Sequence, residues 1–125
     1  MARKALVVDD DASIRLLVSV TLKSLGFECI EGEDGQEAFR LALKESPDFI
    51  VLDLSMPNVN GFEACERIRG HEKTKSIPVL ILSGESTQIN REILGGALKA
   101  NGFVAKPFDR AKLLAAVRDI FPDLA

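Results

Sequence analysis

The fold is decided by VVDDDASIR, residues 7–15. An apolar, β-branched run stops abruptly at Asp9, Asp10 and Asp11, and a helical spacing of apolar residues begins a few positions later. A short continuous run of this kind reads as a strand buried on both faces. Three adjacent carboxylates, all charged at neutral pH, repel one another. Their place at the mouth of a buried strand therefore calls for a chemical reason.

The same strand-then-helix unit recurs outward from this stretch. Apolar runs at 5–8, 27–30, 49–52, 79–82 and 103–105 predict five strands. Ile14, Leu17, Val18, Thr21, Leu22 and Leu25 predict a first helix, with Gly26 as its stop. Further helices are predicted over 35–45, 62–69, 88–99 and 110–121, the last with Asp109 as N-cap. Five such alternations with short connections predict an α/β fold, an open parallel sheet covered on both faces. There is no internal repeat or low-complexity tract, and the expected organisation is one domain over residues 1–125.

Composition narrows the function classes. The 125 residues suit one domain with a real core. Hydrophobic residues at 46% and charged residues at 28% argue against disorder. The longest apolar runs are too short to span a bilayer, and Asp9 arrives too early for the apolar region of a signal peptide, so the cytoplasm is expected. A net charge of −3, with Arg3 and Lys4 the only adjacent basic pair, argues against direct nucleic-acid binding. Cys29 and Cys65 form no CxxC, and with one histidine there is no zinc constellation. Both cysteines are expected as ordinary thiols, and His71, in RGHEKTKS, as a solvated loop residue.

In open parallel sheets, ligands bind outside the carboxyl ends of the strands. Those ends carry Asp9 and Asp10, a position near Glu31, Asp53 of FIVLD, Ser83 of VLILS, and Lys106 of FVAK followed by Pro107. Carboxylates gathered in one pocket raise each other's pKa and destabilise the fold. A hard divalent cation removes that cost, and a few oxygen ligands with room for water and phosphate suit Mg2+. Asp53, on a different strand from the acid pair, can meet such an ion and still offer an oxygen outward. A cation beside it stabilises charge on an incoming phosphoryl group, and Ser83 and Lys106 remain to hold the other phosphoryl oxygens. Each residue alone has a simpler reading: a turn or cap aspartate, a loop hydroxyl, a solvated lysine. Joint placement on four strand ends of one edge is what points to chemistry.

LVVDDDASIR, EDGQEA, DFIVLDLSMPNVNGFE, IPVLILS and FVAKPF, in this order and at these separations, resemble the receiver domain of bacterial two-component response regulators, close to its single-domain chemotaxis type. The resemblance covers nearly the whole chain. It implies a flavodoxin-like, doubly wound sheet of five parallel strands in the order 2-1-3-4-5 with five helices. It implies that Asp53 is the phosphoacceptor, and that Asp10, Asp53 and the backbone carbonyl of Ser55 hold Mg2+ directly, with Asp9 holding it mainly through water. Ser83 would be the hydroxyl that moves toward the phosphoryl group, Lys106 the lysine that contacts it, and Phe103 the aromatic that swings inward on activation. The Lys106–Pro107 bond would be cis.

The implied phosphoryl donor is a histidine kinase or a histidine phosphotransfer protein. The implied output is a downstream protein target, reached through a changed surface of the fourth helix, fifth strand and fifth helix. No membrane contact is implied, and the expected state is a monomer or a phosphorylation-dependent dimer. Such a domain assists its own phosphorylation and dephosphorylation but turns over no outside substrate.

Some positions depart from the commonest pattern of the family. Phe103 lacks the hydroxyl of the frequent Tyr. Lys99 stands where Gly is common, so help from Asn101 and Gly102 is expected at that bend. Gly95 and Gly96 fall inside the predicted fourth helix, at a cost of about 1 kcal/mol each relative to Ala. They permit close packing, break the helix, or keep a signalling helix easy to remodel. Ser55 and Glu85 flank the site and are expected to tune the lifetime of the phosphoryl group.

Three other readings remain open at the level of sequence. Asp9-Asp10-Asp11-Ala12-Ser13 contains a string like that of haloacid-dehalogenase-type phosphohydrolases, with Asp9 as nucleophile and Asp11 as acid/base. Against it, the chain lacks a late acidic pair on a strand end, and DLSMP goes unexplained. The domain could instead serve as a docking module, or be a receiver cut from a longer regulator. Within DDD itself, Asp9 and Asp10 are assigned to the metal and Asp11 to the start of the first helix, where a carboxylate accepts backbone N–H groups.

Overall fold

A computed structural model of the chain describes residues 3–54, 61–84 and 99–124. Five strands, β1 (Arg3–Val8), β2 (Phe27–Gly32), β3 (Phe49–Asp53), β4 (Val79–Ser83) and β5 (Gly102–Ala105), pair in parallel in the order β2-β1-β3-β4-β5. The described helices are α1 (Ala12–Ser24), α2 (Gly35–Glu45), α3 (Gly61–Gly70) and α4 (Arg110–Ile120). The helix predicted over 88–99, with Gly95 and Gly96, falls outside the described residues except for Lys99.

Successive side chains of a strand point to opposite faces, and here both faces are covered. Leu6, Val8, Ile50, Leu52 and Ile81 pack with Ala38 and Leu41 of α2 and with Ala64, Cys65 and Ile68 of α3. Ala5, Val7, Phe49, Val51, Leu80 and Leu82 pack on the other side with Val18 and Leu22 of α1 and Leu113 and Val117 of α4. Burial on both sides is why β1, β3 and β4 read as continuous apolar runs. Phe27, Phe49 and Phe121 pack against one another tilted or edge-to-face with centroids 5.1–5.6 Å apart, and the Arg3 guanidinium lies 4.9 Å above the Phe121 ring.

Asp11, Asp34 and Asp109 cap α1, α2 and α4, each accepting a backbone N–H at 2.9 Å from a residue of the first turn. Gly26 ends α1 at φ +95°, with its N–H donating to the Lys23 carbonyl at 3.0 Å. Lys99 also adopts a left-handed conformation, φ +49°, which an L side chain tolerates at some cost. Arg69, from the last turn of α3, holds it there. Its guanidinium donates to the Lys99 carbonyl at 3.0 and 3.2 Å, to the Asn101 side-chain oxygen at 2.9 Å, and to the carbonyls of Lys75 and Ile77 at 3.1 and 2.6 Å. Asn101 in turn accepts the Val79 N–H at 2.9 Å. Asn101 thus helps as expected, and the larger share of the work falls to Arg69.

His71 is not the solvated residue the sequence suggests. It is half-buried, edge-on to Phe39 at 5.9 Å, and its Nδ1 accepts the Lys73 N–H at 3.1 Å. The turn it sits in is held by Thr74, a buried residue whose hydroxyl donates to the Ile68 carbonyl at 2.6 Å. Both cysteines are free thiols. Burial pushes the Cys65 thiol up to about 11 and raises that of Cys29, which keeps both protonated and poorly nucleophilic at neutral pH.

Candidate functional site

Register brings the strand-end residues together. β1 and β3 pair with Val8 opposite Leu52, so the following residues, Asp9 and Asp53, leave adjacent strands as neighbours. β4 and β5 pair with Ser83 opposite Ala105, and the Lys106 N–H donates to the Ser83 carbonyl at 2.8 Å. From there the Lys106 side chain, 22% exposed, reaches back past the end of β4. Its Nζ lies 2.9 Å from Asp9 Oδ2 and 3.3 Å from Asp53 Oδ2. The Lys106–Pro107 bond is cis.

Asp9, Asp10 and Asp53 offer carboxylate oxygens that all lie within 4.8 Å of one another. Asp9 and Asp53 are buried, at 0% and 1% exposure, and Asp10 gives the cluster its contact with solvent. Burial works against the Lys106 charge, but its bonds to Asp9 and Asp53 outweigh that and hold the ammonium above the ordinary lysine value. One ammonium against three carboxylates leaves a formal charge of −2 in the cluster. The donors are hard carboxylate oxygens, and the missing charge is that of a divalent cation. The residues present therefore fit Mg2+ by donor chemistry and by charge. Ser83 sits fully buried at the end of β4, one position beyond the Asp53–Leu82 pair. Phe103, half-buried on β5 opposite Ile81, packs against the core on the α2 and α3 side. Ser55 and Glu85 lie outside the described residues.

Asp11 stands apart from this group in its bonding. Its Oδ1 accepts the Ser13 N–H at 2.9 Å and the Ser13 hydroxyl at 2.6 Å. Those bonds, led by the hydroxyl, hold its carboxyl below the usual aspartate value. A carboxylate engaged as a helix cap is poorly suited to act as an acid/base beside Asp9. Asp11→Asn should leave Mg2+ affinity within about twofold, because Asn also caps well. Asp10→Asn should weaken it by at least about tenfold, because it removes one of the three carboxylate charges of the cluster. Calorimetric titration of both variants checks this, and equal losses would refute the division.

Two residues of the site lie inside the motifs LVVDDDASIR and DFIVLDLSMPNVNGFE, but their roles show only in the fold. Gly61, the first residue of α3, donates its N–H to the Leu54 carbonyl at 3.2 Å. A Cβ there would collide with the Asp53 carbonyl oxygen and the Leu54 Cα. Gly61→Ala must push the backbone of Asp53 aside, with an expected loss of about 1–3 kcal/mol in denaturant unfolding. The other is Arg15 on α1, only 13% exposed in its side chain. It donates to the Asp9 carbonyl oxygen at 2.6 Å and pairs with Glu31 at 3.1 Å and Glu33 at 3.7 Å. An arginine in a helical pattern reads as a solvated charge; only the fold shows it turned back on the acid loop.

A groove of about 390 Å³ lies away from the acids, along β5 and α4, lined by Phe103, Ala105, Pro107 and Ala116 among others. Among the described residues no helix is long and apolar enough to cross a membrane.

The sequence profile of the response regulator receiver domain matches residues 5–118. The DNA-binding dual master transcriptional regulator RpaA of Synechocystis is 41% identical over 115 residues, which are 92% of this chain and 47% of that protein. The chain spans about half the length of the curated relatives it matches. Among solved structures, the chemotaxis response regulator CheY4 of Vibrio cholerae superposes with a TM-score of 0.87 at 35% identity, covering 96% of this chain and 99% of that one. The receiver domain of the sensor histidine kinase PA1611 of Pseudomonas aeruginosa, solved with a magnesium ion coordinated in its active site cleft, superposes with a TM-score of 0.81 at 29% identity, covering 94% and 96%.

Proposed function

Because this chain belongs to the response regulator receiver domain family, the phosphoacceptor switches of two-component systems, we propose that Asp53 is its phosphoacceptor and that Asp9, Asp10 and Asp53 hold Mg2+. The observation that carries this reading is the cluster of three carboxylates within 4.8 Å, bridged by Lys106 from Asp9 to Asp53. In the proposed reaction an Asp53 oxygen attacks the phosphorus of a phosphohistidine in line, the P–O bond forming as the P–N bond breaks. Lys106 already lies 3.3 Å from Asp53 and turns its charge to the phosphoryl oxygens without a large movement. The Ser83 hydroxyl takes another of those oxygens. Mg2+, when bound, supplies the further positive charge that the phosphoryl group and the acid cluster need. Ser55, proposed to add its backbone carbonyl to the metal, is two residues after Asp53 in the sequence.

An aspartyl phosphate brings up to two negative charges beside Lys106, which compete with Asp9 for the ammonium. That rearrangement, with Ser83 drawn inward and Phe103 filling the space behind it, is the proposed switch. Its effect reaches the surface of β5 and α4, where the groove lies. The proposed donor is a histidine kinase or phosphotransfer protein, the proposed reader a downstream protein, and the proposed place the cytoplasm. Residues 1–125 act as one receiver domain in this reading. RpaA is named for DNA binding; for this acidic chain the proposed contacts are with protein, not nucleic acid.

Intact-mass measurement after incubation with acetyl phosphate tests the reading. One phosphoryl group per chain is expected with Mg2+ and none after chelation. Multiple turnover of a phosphomonoester without stoichiometric labelling would favour the phosphohydrolase reading instead.

A further inference from the structure

We propose that Arg15 is a positioning residue for the acid pair: it fixes Asp9 through the backbone, so that one carboxylate oxygen is aimed at the metal site. The inference rests on the reading of Asp9 and Asp10 as metal ligands. Every polar group of Asp9 has an assigned partner. Its N–H donates to the Gly32 carbonyl at 3.2 Å, at the end of β2. Its side-chain Oδ1 accepts the Asp11 N–H at 2.9 Å. Its carbonyl oxygen accepts from Arg15 at 2.6 Å. Only Oδ2 is left to face the pocket, where it meets Lys106. With N–H, C=O and one carboxylate oxygen all held, the direction of the other oxygen is set.

Arg15 itself is held from the side of β2. Its Nε pairs with Glu31 at 3.1 Å and another guanidinium nitrogen lies 3.7 Å from Glu33, both carried by or just beyond β2. A planar fork of five donors serves a carbonyl and two carboxylates at once, which a lysine cannot do. Arg15 therefore ties the first turn of α1, the acid loop and the end of β2 into one unit. Groups that orient metal ligands in this way commonly govern affinity without touching the ion.

Position and charge predict opposite signs here. If Arg15 acted only as a nearby positive charge, removing it would make the pocket more negative and tighten Mg2+ binding. If it positions Asp9, removing it loosens the ligand and weakens binding. Arg15→Met should weaken Mg2+ binding by about tenfold. It should raise the Mg2+ concentration for half-maximal labelling by acetyl phosphate in the same proportion, with labelling at saturating Mg2+ unchanged. Arg15→Lys, which keeps the charge and loses the fork, should fall between Met and wild type.

The measurement is calorimetric Mg2+ titration of the whole chain, since there is no Trp or Tyr to report by fluorescence. It is paired with thermal unfolding in chelator to show that the variants fold. Unchanged or tighter Mg2+ binding in Arg15→Met would overturn the proposal while leaving the metal site standing. If Arg15→Met does not fold, Arg15→Lys decides: binding equal to wild type overturns the proposal. Wild type without measurable Mg2+ binding would overturn both the site reading and the role of Arg15.

Discussion

Asp53→Asn should leave the chain unlabelled by acetyl phosphate in Mg2+, with its fold intact. Asn keeps the volume of Asp and one acceptor oxygen but supplies no anionic nucleophile. The structure gives a reason to expect the fold to survive. Lys106 remains paired with Asp9 at 2.9 Å, so the change removes one buried carboxylate and strands no cation. The unfolding midpoint in chelator should therefore not fall, and relief of repulsion between neighbouring carboxylates favours a rise. The variant thus separates chemistry from stability. Labelling that persists in Asp53→Asn would move the acceptor elsewhere, with Asp9 the first candidate, since its Oδ2 also faces the pocket. Asp9 is the weaker nucleophile candidate on present geometry: its other oxygen is committed to the Asp11 N–H, and the acid/base that a phosphohydrolase reading would assign to Asp11 is occupied in capping α1.

What the sequence made legible, and what it hid, follows from the range of the forces involved. The strands declared themselves because burial on both faces demands unbroken apolar runs, and Asp11 and Asp109 declared themselves as caps because capping is a local matter of a few residues. The acids, the hydroxyl and the lysine at the strand ends could be grouped because a parallel sheet collects its carboxyl ends on one edge. The roles of Arg15, Gly61 and Arg69 were hidden because each depends on a neighbour supplied by register. Arg69 reaches carbonyls up to thirty positions away in sequence, at Lys99. Gly61 meets the backbone of Asp53. No pattern on α1 or α3 signals those approaches. His71 was misread for the same reason, since its packing partner Phe39 comes from α2.

The second large effect is expected at Lys106. Lys106→Met should slow labelling by about 100- to 1000-fold, because it removes a preorganised positive charge from the transferring group. It should also destabilise the chain in chelator. Asp9 and Asp53, both buried, lose the cation they share. Breaking a buried pair on one side costs about 3–5 kcal/mol, and access of solvent to the lysine end reduces this to about 1–3 kcal/mol. Mg2+ should restore more stability to Lys106→Met than it adds to wild type, because the ion and the ammonium compete for the same carboxylates. Denaturant unfolding with and without Mg2+ reads that difference directly, and an equal Mg2+ effect in both proteins would show that Lys106 does not share the metal's ligands.

The pH dependence has a definite sign. A lysine whose pKa is raised in the folded state stabilises fully below its unfolded value and loses that contribution as pH rises through the folded one. The Lys106 contribution should thus be flat between about pH 7 and pH 9 and disappear only in strong alkali, above the ordinary lysine value near 10.4. In the Asp9→Asn background, Lys106→Met should cost less than in wild type, since one of the two carboxylates it neutralises is already gone. A double-mutant cycle measures that coupling, and strict additivity would mean that the 2.9 Å contact between Lys106 and Asp9 contributes nothing to the folded state.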